Sequence, residues 1–183
     1  MISLNDLIER KNKMSFIELA KKRYSCKKYN GKPVEKEKLD YILEAGRLAP
    51  TAKNLQEQHI YILQSEEALS KVDACTPCRY GATTVLAVAF HKNNVFTYPG
   101  GKRDSGIEDA SIVATHMILA AADADVDSCW INNFDPDKLK EELALPEDEE
   151  ILMLMDLGYA EEGFKPLPNH SSRKELEETV SYQ

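Results

Sequence analysis

The sequence has 183 residues, of which 43% are hydrophobic, enough to bury one sizeable core but short for two. Its 23 basic and 31 acidic residues give a net charge of -8, which argues against a general attraction to nucleic acid or anionic membranes. No apolar run is long enough to span a bilayer, and residues 1–13 lack the apolar centre of a signal peptide. We therefore expect a single domain over residues 1–183 in the cytoplasm, in which any anion site is local.

Four short helices and one strand are predicted in the first half of the chain. Residues 3–6 could cap the first helix, and Ser15 and Glu18 have the spacing of a capping box, which predicts a helix through Lys22. Apolar residues at helical spacing over 39–46 predict a helix that stops before Pro50. Residues 59–63 are rich in strand-forming types, and Ser65 then opens a short helix.

Long apolar runs dominate the second half. Residues 83–90 predict a strand buried on both faces, and residues 107–124 predict a central core helix, with a long loop between them. Strands are predicted at 128–131 and 151–157, and Asp135-Pro136 predicts the start of a helix that reaches about Leu145. Helices and strands without strict alternation indicate an α+β fold, a sheet covered by helices.

The stretch Arg23 to Tyr29 places cations and a hydroxyl at alternate positions. If it is extended, Arg23, Ser25 and Lys27 project to one side, because side chains of a strand repeat every two residues. Such donors suit a phosphorylated, electron-accepting ring. A solvated basic loop is the alternative interpretation, since short charged motifs often occur by chance.

No glycine-rich nucleotide motif is present. No G-x-G-x-x-G follows a predicted strand and no G-x-x-x-x-G-K-S/T occurs, which argues against a dinucleotide fold. Residues 49–56 carry a proline, a hydroxyl and amides, which predict an ordered, hydrogen-bonded turn. A bound phosphate would therefore be held by Arg and Lys side chains and loop amides.

Six segments, taken in chain order, resemble the FMN-dependent nitroreductase family over about Phe16 to Val180. They are RYSCKKY, APTAKNLQ, EDASIVATHMILAAADA, SCWINNFD, LMDLGY and SSRKELEE. The resemblance implies an α+β sandwich with a central mixed sheet covered by helices. It also implies an intertwined homodimer with two FMN sites at the interface.

The resemblance further implies a set of FMN-binding residues. They are Arg23, Tyr24, Ser25, Lys27, Pro50, Thr51, Ala52, Asn54, Gln56, Asn132, Asn133 and Arg173. By this resemblance, Arg23, Ser25 and Lys27 would contact the phosphate, the ribityl chain and the N1/O2 edge of the flavin, and Tyr24 would contribute through its backbone. Residues 50–56 resemble a cover supplied by the partner subunit. Residues 132–133 lie where family members place backbone amides near flavin N5, and Arg173 matches the second cation of a phosphate clamp.

Three departures from the family pattern bear on this site. Glu57-Gln58 replaces the usual Pro-Trp, Asp125-Val126-Asp127 replaces Gly-Leu-Gly, and Ser171 replaces the first cation of the tail clamp. The loop over residues 98–103 lies where the family varies on the substrate side. Loop geometry and phosphate affinity are the properties that these departures affect.

The function implied by the resemblance is an FMN-dependent oxidoreductase. Hydride from NADH or NADPH would reach flavin N5 and then a nitroaromatic, quinone or enone acceptor. The cofactor carries this chemistry, so we assign no catalytic side chain. A flavin-binding reservoir or sensor without turnover is the first alternative.

The second alternative is a thiol-disulfide oxidoreductase, because Cys75 and Cys78 have C-x-x-C spacing. No thioredoxin-like pattern surrounds the pair, which favours structural or incidental thiols. A zinc site from these cysteines with His59, His91 or His116 is disfavoured because the histidines lie in different elements, and no metal site is predicted. We also expect His116 and Trp130 in the core and residues 147–150 as a solvated charge run.

Overall fold

The computed structural model describes residues 14–183, so the predicted cap at residues 3–6 lies outside the described part. Within these residues no helix has both the length and the apolarity to cross a membrane. The helices and strands are α1 (Phe16–Lys22), α2 (Lys36–Arg47), β1 (Gln58–Leu63), α3 (Glu66–Cys75), β2 (Thr84–His91), α4 (Gly106–Asp123), β3 (Asp127–Ile131), α5 (Pro136–Glu142) and β4 (Glu149–Gly158).

The four strands form one sheet in the order β1-β2-β4-β3. All three ladders are antiparallel. A mixed sheet was expected, but among residues 14–183 the parallel pairing is limited to the isolated bridge between Ser25 and Ser128. The predicted α+β class is confirmed.

The sheet is covered by helices on both faces. β2 is buried along nearly its whole length, as its continuous apolar run predicts. On one face, α2 and α4 pack through Ile42, Val113 and Met117, and on the other face α3 and α5 pack through Val72 and Leu139. The result is a sandwich with a helical layer on either side of the sheet.

The central helix α4 lies close against β2. A β-carbon on Gly106, its first residue, would lie 2.3 Å from Cε2 of Phe90. Because that ring cannot yield like a flexible side chain, glycine is required where α4 begins. The close approach fixes the start of α4 against the sheet.

Most predicted element boundaries are confirmed, including the capping box of Ser15 and Glu18. The expected extension of α5 to Leu145 is wrong, because α5 ends at Glu142. Ala144 there adopts a left-handed φ of 51°, and Leu145 N–H donates to the Lys140 carbonyl at 3.1 Å. This closure is a common way to terminate a helix.

Two burial predictions are wrong. His116 is exposed, because it lies on the part of α4 turned away from the sheet. Glu149, predicted within a solvated charge run, is only 1% exposed, because it begins β4 and is paired with His91 of β2. Trp130 is half-buried, and its indole N–H donates to Oδ1 of Asn132 at 2.6 Å.

Candidate cofactor site

Residues 23–27, which we call the cation segment, are tethered to the edge strand β3. The chain leaves α1 at Arg23 in an extended conformation. Ser25 bridges Ser128, and Cys26 N–H donates to the Ser128 carbonyl at 2.9 Å. The Cys26 side chain is fully buried and anchors the segment. The extended conformation considered for this stretch is thus found at Arg23 and at the Ser25 bridge.

The two motif cations of this segment differ from their neighbours in charge pairing. Lys22 pairs with Asp125 at 2.5 Å, and Lys28 pairs with Glu161 at 3.0 Å. Arg23 and Lys27 form no ion pair with any carboxylate of residues 14–183. Their charges therefore remain available to an external anion.

The polar tail packs beside the cation segment. The ring of His170 lies 6.3 Å from that of Tyr24, edge to face, and its Nε2 lies 3.2 Å from the Lys21 carbonyl. Arg173 lines the same surface depression as Lys21. Its Nη1 donates to the carbonyls of His170 and Ser172, both at 2.6 Å. Arg173 therefore lies near α1, and one nitrogen of its guanidinium group already donates hydrogen bonds within the tail.

Lys27 belongs to a second cluster where β3 ends. Its Nζ lies 5.9 Å from the ring centroid of Tyr80. Asn133 donates its side-chain N–H to Sγ of Cys78 at 3.4 Å, and Thr76 donates to the Asn133 carbonyl at 2.6 Å. The fold therefore places Cys78 and Tyr80 beside predicted site residues, which the sequence analysis did not anticipate.

The two thiols of the C-x-x-C pair differ in acidity. Hydrogen bonds from Tyr80 and Asn133, helped by the charge of Lys27, lower the pKa of Cys78. Burial raises the pKa of Cys75. Arg79, the nearest cation in sequence, instead pairs with Asp73 at 2.6 Å. Both cysteines are free thiols.

Residues 50–56, which we call the cover loop, have a strained backbone. Lys53, Asn54 and Gln56 have φ values of 53°, 56° and 54°, each costing of order 1–3 kcal/mol when the residue is not glycine. Thr51 offsets this cost locally, since its Oγ1 accepts from Gln56 N–H at 3.0 Å and its carbonyl accepts from Asn54 N–H at 2.9 Å. The ordered turn predicted here is confirmed.

A buried carboxyl pair lies under the cover loop. Oδ1 of Asp109 accepts from Ala52 N–H at 2.9 Å. Glu57 is 1% exposed, and neither its oxygens nor Oδ2 of Asp109 has a hydrogen-bond donor among residues 14–183. Burial and the adjacent Asp109 raise the pKa of Glu57 to about 7. The sequence signal for this pair was the departure from the family at Glu57.

Within a single chain, the cover loop and the cation segment lie apart. The loop is held near the start of α4 through Asp109, whereas Lys22, next to Arg23, donates to the Ala122 carbonyl near the end of α4. Thirteen residues of helix separate these anchors, roughly 20 Å at 1.5 Å per residue. Residues 23–27 lie beside β3 and residues 132–133 directly follow it, whereas residues 50–56 lie near the start of α4.

The molecule is therefore an α+β protein with helices on both faces of one sheet, and within residues 14–183 the two cations Arg23 and Lys27 lie beside β3 without ion pairs. Residues 20–77 and 76–159 match the model of the Nitroreductase family. The chain belongs to this family.

Solved structures of the family share the fold. A nitroreductase family protein from Clostridium difficile 630 is 37% identical, with a TM-score of 0.86 over 93% of this chain and 99% of that chain. An FMN-dependent nitroreductase from Clostridium difficile R20291 is 29% identical, with a TM-score of 0.74 over 91% of this chain and 98% of that chain. An Archaeoglobus fulgidus protein named "Putative NADH dehydrogenase/NAD(P)H nitroreductase" is 26% identical over 75% of this chain and 80% of its own length.

Proposed function

We propose that the protein is an FMN-dependent oxidoreductase that uses NADH or NADPH to reduce a small acceptor such as a nitroaromatic, quinone or enone. The observation that carries the proposal is the pair of unpaired cations, Arg23 and Lys27, between the paired Lys22 and Lys28. The FMN dependence of the Clostridium difficile R20291 relative and the nicotinamide nucleotides in the name of the Archaeoglobus fulgidus relative support it.

The donor set of the described residues fits FMN. Arg23 offers a planar fork of donors to a phosphate or to the electron-rich edge of the ring, and Lys27 offers a point charge. Ser25 offers a hydroxyl, and Asn132 and Asn133 offer amides beyond the end of β3. FMN, when bound, accepts hydride from the reduced nicotinamide and passes electrons to the acceptor. The side chains bind and orient the cofactor, and we assign none as acid or base.

We infer that the working unit is a homodimer in which the cover loop completes the partner's site. The roughly 20 Å along α4 between loop and cation segment supports this inference. Large apolar side chains are also exposed in the single chain, with Phe16 at 66%, Leu48 at 65% and Ile107 at 58%. Burial of such side chains between two subunits would stabilise association. Light scattering that shows a monomer with tightly bound FMN would contradict the inference.

Steady-state turnover tests the activity. We expect purified protein to carry a flavin spectrum and to oxidise NADH or NADPH faster when a quinone or nitroaromatic is added. Lys102→Ala, a change on the exposed loop after β2, is the matched control and should retain both properties. Bound flavin without turnover would favour a reservoir or sensor, and colourless protein with disulfide reductase activity would favour the thiol alternative.

A further inference from the structure

A cluster of two histidines and a glutamate lies where three strands meet. His91 of β2 is paired with Glu149 of β4, and His59 of β1 is paired with Ala89, two residues before His91. The three side chains therefore share one end of one sheet face. Among residues 14–183, this is the one group of three or more His, Cys, Asp or Glu residues whose ligand atoms lie close enough together to hold a metal ion.

The distances suit a single small cation. The ligand atoms all lie within 4.8 Å of one another. Oε1 of Glu149 lies 2.7 Å from Nδ1 of His59 and 3.4 Å from Nε2 of His91. Ligands of a tetrahedral zinc ion, with bonds near 2.0–2.2 Å, stand about 3.4 Å apart. The 3.4 Å gap between Glu149 and His91 already has this length, and the 2.7 Å gap between Glu149 and His59 would need to open.

A second layer of contacts orients the ligands. Tyr61 donates its hydroxyl proton to Oε2 of Glu149 at 2.5 Å, which leaves Oε1 turned toward the imidazoles. Nδ1 of His91, the nitrogen away from Glu149, lies 3.8 Å from Oδ2 of Asp148. Carboxylates on the outer nitrogen of a ligating histidine and hydrogen bonds to a ligating carboxylate are typical of built metal sites.

The charge of Glu149 also calls for a cation. Its carboxylate is buried, and among residues 14–183 its ion-pair partners are the two histidines, with no lysine or arginine. Lys140 approaches, but its Nζ donates to the main-chain carbonyls of residues 147 and 149, at 2.7 Å in both cases. The histidine side chains are 47% and 41% exposed, so an ion can enter from solvent.

We propose that His59, His91 and Glu149 bind a divalent transition-metal ion, with zinc as the expected occupant. Two imidazoles and one carboxylate are an N,N,O ligand set that zinc accepts, with water at the fourth position. The ion would join β1, β2 and β4 at one end of the sheet and stabilise that end. This site uses none of the residues assigned to FMN.

Calorimetric titration of zinc chloride into the dialysed, tag-free, FMN-loaded protein at pH 7.5 tests the proposal. We expect one site per chain, which His59→Ala and His91→Ala each weaken by at least about tenfold. Tyr61→Phe should weaken it less. His116→Ala removes an exposed imidazole outside the cluster and is the matched control, with wild-type affinity expected.

The thiols are separated from the cluster by measuring the same titration in Cys75→Ser/Cys78→Ser. Zinc binding that persists there, with X-ray absorption showing nitrogen and oxygen ligands and no sulfur, supports the site. Equal affinity for wild type and for folded His59→Ala, with the flavin spectrum and circular dichroism unchanged, would mean an adventitious ion only and would overturn the proposal. Absence of zinc binding in the wild type would overturn it as well, whatever the result for FMN.

Discussion

The cation segment and the cover loop are built in opposite ways. The cation segment has ordinary extended backbone, anchored by Ser25 and Cys26 on β3, and its charged side chains form no ion pair among residues 14–183. The cover loop has left-handed backbone at Lys53, Asn54 and Gln56, held by Thr51 within the loop and by Asp109 beneath it.

This difference separates two kinds of contribution to a binding site. Changes to the two charged side chains of the cation segment, Arg23 and Lys27, should alter ligand affinity and leave the fold intact, because neither forms an ion pair within residues 14–183. Changes within the cover loop should alter stability because its backbone is strained. Changes beneath it should do so because two carboxyl groups, those of Glu57 and Asp109, are buried there. Four substitutions test this separation.

Arg23→Ala should have the largest effect, on FMN affinity alone. Loss of a charge-assisted hydrogen bond costs roughly 1.5–3 kcal/mol, or about ten- to a hundredfold in affinity. Fluorescence titration of apoprotein with FMN measures it, and Arg23→Lys should recover part of the loss. Lys102→Ala controls for loss of a positive charge. Equal FMN affinities for wild type and Arg23→Ala would remove the cation segment from the site.

Glu57→Gln should raise stability at high pH. The folded-state pKa of Glu57, about 7, exceeds its ordinary value of 4.5. Protonated Glu57 therefore makes its full contribution to the free energy of unfolding below about pH 4.5, and this contribution is lost as the pH rises through about 7. A neutral amide avoids burying that charge, and we expect a gain of about 1–3 kcal/mol at pH 8.5 and little at pH 5.

Chemical denaturation at the two pH values measures this effect. Glu162→Gln, at an exposed glutamate, is the matched control and should be neutral at both. A gain of equal size at pH 5 and pH 8.5 would show that the buried charge is not the cause.

Gln56→Gly should have a smaller effect, on the stability of the cover loop. Glycine adopts a φ near 54° without steric cost but loses more chain entropy on folding, so we expect a net gain of about 0.5–1 kcal/mol. Gln56→Ala loses the same polar side chain but keeps the β-carbon, and should show no gain. Thermal denaturation that ranks the two variants equally would argue against stored backbone strain.

Cys75→Ser/Cys78→Ser should have the smallest effect. Cys78 lies beside Lys27 and Asn133, but the proposed chemistry uses no thiol, so turnover with FMN bound should stay within about twofold of wild type. A large fall in turnover with flavin still bound would restore the thiol alternative.

The sequence could predict groups of residues that lie close together along the chain, but not groups that only the folded structure brings together. Arg23, Ser25 and Lys27 stand in one short run, so a period of two was enough to predict that their side chains share a direction. Glu57 and Asp109 are 52 positions apart, and their contact needs the packing of α4 under the loop. Likewise His59, His91 and Glu149 meet only through strand register, which places a residue from an acidic run inside the sheet.

Mixed dimers test most directly the claim that one site joins the cation segment of one chain to the cover loop of another. Arg23→Ala and Thr51→Ala/Asn54→Ala chains would be co-expressed with different affinity tags, and turnover would be measured at an FMN concentration that saturates only intact sites. Random pairing gives about half mixed dimers, each with one intact site, so roughly a quarter of wild-type turnover should return although each parent is nearly inactive. Turnover no higher than the mean of the two parents would contradict a site shared between chains.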